Sequence, residues 1–145
     1  MKKIPVNELL EVKYPIIMAP MFLVTNTKMM TEAMNSGIAA CIPALNYRTD
    51  EQFREAIKEI RSNTTSKGLG INLIVNKSNI KVQQQLKTCV ELGVDFIITS
   101  LGSPKEVIEQ CKPKGIKVFC DVVEEKYAKK VEELGADAAI AVNCN

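Results

Sequence analysis

Histidine and tryptophan are absent from the 145 residues. Without histidine there is no Ser–His or Cys–His pair to activate a nucleophile, and the commonest metal ligand is missing. The five cysteines, at 41, 89, 111, 120 and 144, form no C-x-x-C pair. Their spacing and odd number point away from a zinc site or a disulfide framework and toward reduced thiols in a cytoplasmic protein. Cys41, Cys89, Cys111 and Cys120 are expected to be small buried hydrophobes. A long apolar run is also lacking. Ile16 to Val24, nine residues interrupted by Pro20, falls well short of the roughly 20 that a membrane helix needs. Met1-Lys2-Lys3 leads into no apolar segment of a signal peptide. Charge of one sign is scarce as well. Nineteen basic residues against 17 acidic leave a net charge of +2, too little to mark nucleic acid or an anionic membrane as a partner.

The pattern that is present alternates. Ile16–Pro20, Ala39–Leu45, Leu69–Val75, Phe96–Ser100, Val118–Val123 and Ala138–Val142 are short runs without polar alternation, as in strands buried on both faces. Between them lie helical stripes. They comprise Phe53, Ala56, Ile57 and Ile60; Val82, Leu86, Cys89 and Val90; and Tyr127, Ala128, Val131 and Leu134. Thr49-Asp50-Glu51-Gln52 and Ser103-Pro104-Lys105-Glu106 read as capping boxes. Gly37, Gly93, Gly115 and Gly135 follow helical stretches, where a left-handed residue is favoured. The reading is a short lead, Met1 to Tyr14, then five βα units and a sixth strand in one domain, 1–145. "ELGVDFIITS" at 91–100 and "ELGADAAIAV" at 133–142 repeat one another. Duplication would produce this, and so would any helix–Gly–strand joint. Two architectures fit: an open doubly wound sheet, or the first six strands of an eight-stranded βα barrel. "MAPMFLVTN" after the first strand contains no glycine, so it makes a poor dinucleotide phosphate loop.

Function in either architecture gathers at the C-terminal ends of the strands. That rim carries Ala19-Pro20-Met21, Pro43 to Arg48, Asn72, Asn76-Lys77, Thr99 to Ser103, Asp121 and Asn143-Cys144-Asn145. It is rich in amides and hydroxyls, and Asp121 is its one carboxylate near a strand end. No catalytic residue and no metal ligand can be assigned from it. Such a rim suits a site whose chemistry comes from an organic cofactor. Asn72, an amide inside an apolar strand, needs a hydrogen-bond partner: a neighbouring backbone group, or a ligand. Lys77 or Arg48 could meet an anion, or be ordinary loop charges.

"YPIIMAPM", "GIAACIPALN", "GINLIVN", "FIITSLGSP", "GIKVFCDVV" and "LGADAAIAVN", in this order along nearly the whole chain, resemble the nitronate monooxygenase family, formerly 2-nitropropane dioxygenases. The resemblance implies an α/β fold of the (β/α)8 TIM-barrel type, represented by about its first six strands and five helices. It implies FMN as cofactor, with Ala19, Pro20 and Met21 against the flavin ring and Asn72 contributing a cofactor-contacting amide. The implied activity is flavin-dependent monooxygenase chemistry, oxidation of an alkyl nitronate by O2. Flavin-dependent enoyl-acyl-carrier-protein reductases share this barrel and are an alternative, as is a non-catalytic six-stranded domain that binds a partner. The family's catalytic histidine lies in an Ala-Gly-Gly-His segment after the sixth strand, where this sequence reads Asn143-Cys144-Asn145. The expectation is therefore a fragment that stops where the catalytic loop begins, lacks the loops for the FMN phosphate, and self-associates through open sheet edges.

Overall fold

The computed structural model of the protein describes residues 3–142; the expectations for Asn143, Cys144 and Asn145 fall outside them. Six parallel strands form one sheet: β1 (Ile17–Met18), β2 (Ala39–Pro43), β3 (Leu69–Ile74), β4 (Phe96–Ser100), β5 (Lys117–Val122) and β6 (Ala138–Ala141). Their order in space is their order in sequence, β1-β2-β3-β4-β5-β6. A doubly wound sheet reverses direction at a switch point. This one never does, so the open-sheet alternative falls and the sheet is six strands of a (β/α)8-type barrel.

Five helices connect the strands: α2 (Thr27–Asn35), α3 (Asp50–Ser62), α4 (Val82–Leu92), α5 (Lys105–Cys111) and α6 (Glu125–Glu133). A further helix, α1 (Val6–Leu10), forms within the lead, where no regular element was expected. β1 is shorter than the run Ile16–Pro20 implied, because only Ile17 and Met18 pair with β2. Leu45 leaves β2 for a single 3-10 turn, Ala44–Asn46.

Alternation along each strand divides the interior in two. Leu69, Ile71 and Leu73 of β3 face outward and pack with Phe53, Ile57, Ile60 and Leu86 of the helices. Ala39, Cys41, Phe96, Ile98 and Phe119 face inward, against Leu10 of α1. The rings of Phe96 and Phe119 lie 5.6 Å apart. Gly70 makes room for them: a Cβ there would sit 2.2 Å from the Phe96 ring. α1 closes the N-terminal mouth, with Val12 near Gly68 and Glu11 ion-paired to Lys67 at 2.6 Å. The inner face therefore opens at its C-terminal end.

The sequence repeat has a shared structural role in both copies. The Asp95 backbone N–H donates to the Leu69 carbonyl, while its Oδ2 accepts from the N–H groups of Gly68 and Leu69, each at 2.9 Å. The Asp137 N–H donates to the Val118 carbonyl and its Oδ2 accepts from the Val118 N–H at 2.8 Å. Each aspartate locks the start of one strand onto the start of its neighbour. Arg61 adds a 2.9 Å ion pair to Asp95.

The helix-end signals hold in part. Gly37, Gly93, Gly115 and Gly135 all have positive φ, from 63° to 95°. Thr49 caps α3 by accepting from the Gln52 N–H, but the Gln52 side chain accepts from the Arg48 N–H rather than that of Thr49. The Ser103 box does not form. Pro104 occupies the N-cap itself, with no side-chain cap bond. Tyr127 departs from the α6 stripe: it is exposed, while Val131 is buried.

Candidate functional site

Asn72 sits midway along β3 on the inner face and is only 7% exposed. Its register partners are Pro43 on β2 and Ile98 on β4. Its Nδ2 donates to the Ile98 carbonyl at 3.0 Å and to the Ser100 Oγ at 2.9 Å. The Ser100 hydroxyl in turn donates to Asp121 Oδ2 at 2.6 Å. Three strands thus contribute one side chain each to a hydrogen-bonded chain at the open end of the barrel. Both partners of the amide nitrogen lie on β4, one of them the backbone partner that is the ordinary structural explanation for a buried amide. The amide oxygen accepts no bond among the described residues. No sealed side-chain polar atom among them lacks a partner, so this oxygen is not fully closed off.

The β1–α2 loop faces the same end. Met21 N–H donates to Thr25 Oγ1 at 2.9 Å, and Thr25 is buried. Asn46 fastens the loop from the end of β2: its Oδ1 accepts from the Leu23 N–H at 2.8 Å and its Nδ2 donates to the Thr25 carbonyl at 2.9 Å. Leu23 adopts a left-handed φ of 59°. The loop is held in a shape that leaves Phe22 61% and Leu23 71% exposed. Ala19 and Met21 are exposed and Pro20 is half-buried. By alternation from Ile17, Ala19 belongs to the inner face. Ala19 and Asn72 therefore lie on the same face, and Pro20 and Met21 lie in the loop at its open end. β2 lies between Ala19 and Asn72, and no hydrogen bond joins the loop to the amide.

A cavity of about 570 Å³ opens beside Ser100 and Asp121, with Leu101, Val123 and Tyr127 among its apolar walls. Leu101 is held at φ 61°. Cys41, also on the inner face, is sealed from solvent. Burial pushes its thiol well up, and the charge of Asp121 adds to this. Burial likewise raises Cys89, Cys120 and Cys111, the last to about 12. All four are buried, as their sequence context implied. Arg48 and Lys77 lie exposed at the rim and join no ion pair among the described residues. Sequence reasoning placed Asn46, Ser100 and Asp121 on the rim but gave them no role. Their position at strand ends was the only signal, and their bonds join strands that are distant in sequence.

Among the described residues no group of three His, Cys, Asp or Glu side chains could hold a metal ion, and no helix is long and apolar enough to cross a membrane.

The architecture is that of a βα barrel of which six strands are present, and this is where its similarities to known proteins fall. No family model matches the chain. It is 24% identical over 136 residues to (3aS,4S,5R,7aS)-5-hydroxy-7a-methyl-1-oxo-octahydro-1H-indene-4-carboxyl-CoA dehydrogenase of Mycobacterium tuberculosis, covering 94% of this chain and 37% of that protein. The structure of FabK from Thermotoga maritima superposes with a TM-score of 0.87 and 29% identity, covering 97% of this chain and 44% of that one. Nitroalkane oxidase from Streptomyces ansochromogenes shares the fold, with a TM-score of 0.79 and 20% identity over 94% of this chain and 48% of its own. The chain thus spans less than half the length of each. Named enzymes of oxidation chemistry stand among these relatives.

Proposed function

We propose that this chain forms the ring-binding part of a flavin-dependent barrel oxidoreductase, with FMN as cofactor and an alkyl nitronate and O2 as substrates. One observation carries the reading: a buried amide on the inner wall, Asn72, whose nitrogen is held by two acceptors while its oxygen accepts no bond among the described residues. The residues suit a flavin ring. The ring has an imide N–H for that oxygen, and an apolar face for the loop around Met21 and Phe22. Ala19, Pro20, Met21 and Asn72 would hold it. When bound, the flavin supplies the electron transfer that no side chain here can perform. The chain's own residues orient the ring edge through Asn72 and keep water off its face through the apolar loop. No histidine stands ready to take the α-proton of a neutral nitroalkane. A nitronate is already deprotonated and needs no such base. The reduced, buried thiols fit a cytoplasmic setting.

A second reading is reduction or oxidation of a carbon skeleton attached to a thioester, with a pyridine nucleotide as redox partner. It is supported by the curated relative, whose named activity is dehydrogenation of a carboxyl-CoA compound. The experiment supplies the chain with excess FMN. Oxygen uptake is followed with propyl-2-nitronate and with neutral 2-nitropropane, beside NADH and NADPH oxidation with an enoyl thioester. Oxygen uptake with the nitronate alone is the expected result. Pyridine-nucleotide oxidation alone selects the second reading, and equal turnover of the neutral nitroalkane contradicts the argument from the missing base.

A further inference from the structure

On the helix side of the sheet, the loops that follow β2 and β3 border a second cavity of about 140 Å³, between the starts of α3 and α4. Arg48, Asp50, Lys81 and Gln85 are among the residues that line it. Gln85 is only 6% exposed. The facing of its amide follows from its neighbour. Asn79 Oδ1 accepts from the Lys81 N–H at 3.1 Å, and its Nδ2 donates to the Ile74 carbonyl at 2.9 Å and to Gln85 at 3.1 Å. Gln85 therefore meets Asn79 through its oxygen. Its Nε2 keeps both N–H groups, finds no acceptor among the described residues, and is not fully closed off. Two cations border the same cavity. Lys81 Nζ donates to the Arg48 carbonyl at 2.8 Å, which ties the two loops together. Neither Arg48 nor Lys81 joins an ion pair among the described residues. Asp50 is the one carboxylate in the lining, and both its oxygens are taken: Oδ1 accepts from the Thr88 hydroxyl, and Oδ2 pairs with Arg54 at 2.6 Å. No side chain caps α4, whose positive end adds to the two cations.

We propose that this cavity binds a phosphoryl group, at a site separate from the inner wall and independent of the flavin reading. A phosphoryl group carries a charge of about −1.5 to −2 at pH 7 and offers three acceptor oxygens. Arg48 and Lys81 supply two uncompensated positive charges, and Gln85 supplies a neutral donor held in place by Asn79. Charge and donors both match. A carboxylate, with one charge, leaves one cation unanswered. Cavities that hold a whole drug-sized ligand run to about 300–1,000 Å³, so this one takes the phosphoryl head and leaves the rest of an ester in solvent.

The test is a phosphorus NMR titration of the 145-residue chain with inorganic phosphate and, in parallel, with phenyl phosphate. Acetate is added as a competitor. Saturable binding of phosphate, with acetate competing only weakly, is the expected result. Arg48→Ala should weaken binding about fivefold, the worth of one exposed charge pair. Gln85→Glu keeps the oxygen that accepts from Asn79 but replaces the free donor with a charged acceptor, and should weaken binding by about tenfold or more. Lys77→Ala removes an exposed charge outside the cavity and should leave binding unchanged. Arg48→Ala and Lys77→Ala alter exposed side chains and remove the same charge. The pair therefore separates a site from general attraction even where Gln85→Glu fails to fold. Tighter binding of phenyl phosphate assigns the site to a phosphate ester, and tighter binding of inorganic phosphate assigns it to the free ion; each supports the proposal. No saturable binding, acetate competing as well as phosphate itself, or equal weakening in Arg48→Ala and Lys77→Ala would overturn it.

Discussion

Asp95 concentrates more hydrogen bonds than any acceptor on the rim, yet it lies at the opposite end of the barrel from the site. Its carboxylate serves two backbone N–H groups and Arg61 with its side chain only 17% exposed. Bonds to a charged group of this kind are worth about 1.5–3 kcal/mol each. Asp95→Ala is expected to lose about 2–3 kcal/mol in urea denaturation, and Asp137→Ala, with one such bond and a more open side chain, about 1 kcal/mol. Gly70 is constrained by space rather than by φ. Gly70→Ala drives a methyl into the Phe96 ring and should cost about 1–3 kcal/mol by the same measurement. Residue identity alone revealed part of this. Asn72 stands out in the sequence because an amide in an apolar strand must find a partner. Its partners, Ser100 and Asp121, are separated from it by 28 and 49 positions and look like ordinary strand ends until the register aligns them. Gly70 looked like any strand glycine, since only the facing ring explains it.

At the level of elements, the apolar runs placed all six strands among the described residues and the apolar stripes placed α3, α4 and α6, while α2 and α5 were marked only by the glycines that follow them and, for α5, by the Ser103 sequence. Boundaries were less legible, because they depend on pairing. Ile16 and Ala19 are as apolar as Ile17, but only Ile17 and Met18 have β2 alongside to complete a ladder. The lead concealed α1, whose five residues are too few to display a period. Its helix exists because Leu10 has a barrel floor to fill. Caps followed chemistry where the side chain could reach. Thr49 caps α3, so Thr49→Ala should destabilise by about 1 kcal/mol. Ser103 offers its helix only a marginal 3.5 Å contact to the Lys105 N–H. Ser103→Ala should therefore stay within about 0.5 kcal/mol of the unmodified chain. Thermal unfolding of the pair, followed by circular dichroism, distinguishes a working cap from a sequence that only resembles one.

For the whole molecule, sequential strand order decides the architecture, and the same order leaves two edges. β1 pairs only with β2 and β6 only with β5 among the described residues. Exposed edges with free N–H and C=O groups recruit further strands. The 145-residue chain is expected to self-associate, with size-exclusion chromatography and light scattering giving a mass above 16.1 kDa that rises with concentration. A sharp monomer peak at all concentrations would mean that the edges are protected. The βα count fitted two architectures, the absence of a phosphate loop after β1 weighed against the open sheet, and the family resemblance implied the barrel, whereas the choice of substrate was not legible. Nitronate and thioester chemistry can share one barrel, and the groups that separate them touch the substrate rather than shape the fold. The central claim is narrower and can be measured directly: the open end of this inner wall binds a flavin through Asn72. FMN is titrated into the chain and into Asn72→Ala, with quenching of flavin fluorescence as the signal. Saturable binding by the chain, weakened about tenfold in Asn72→Ala, is the expected result. The absence of saturable binding, or an affinity unchanged by the substitution, would contradict it.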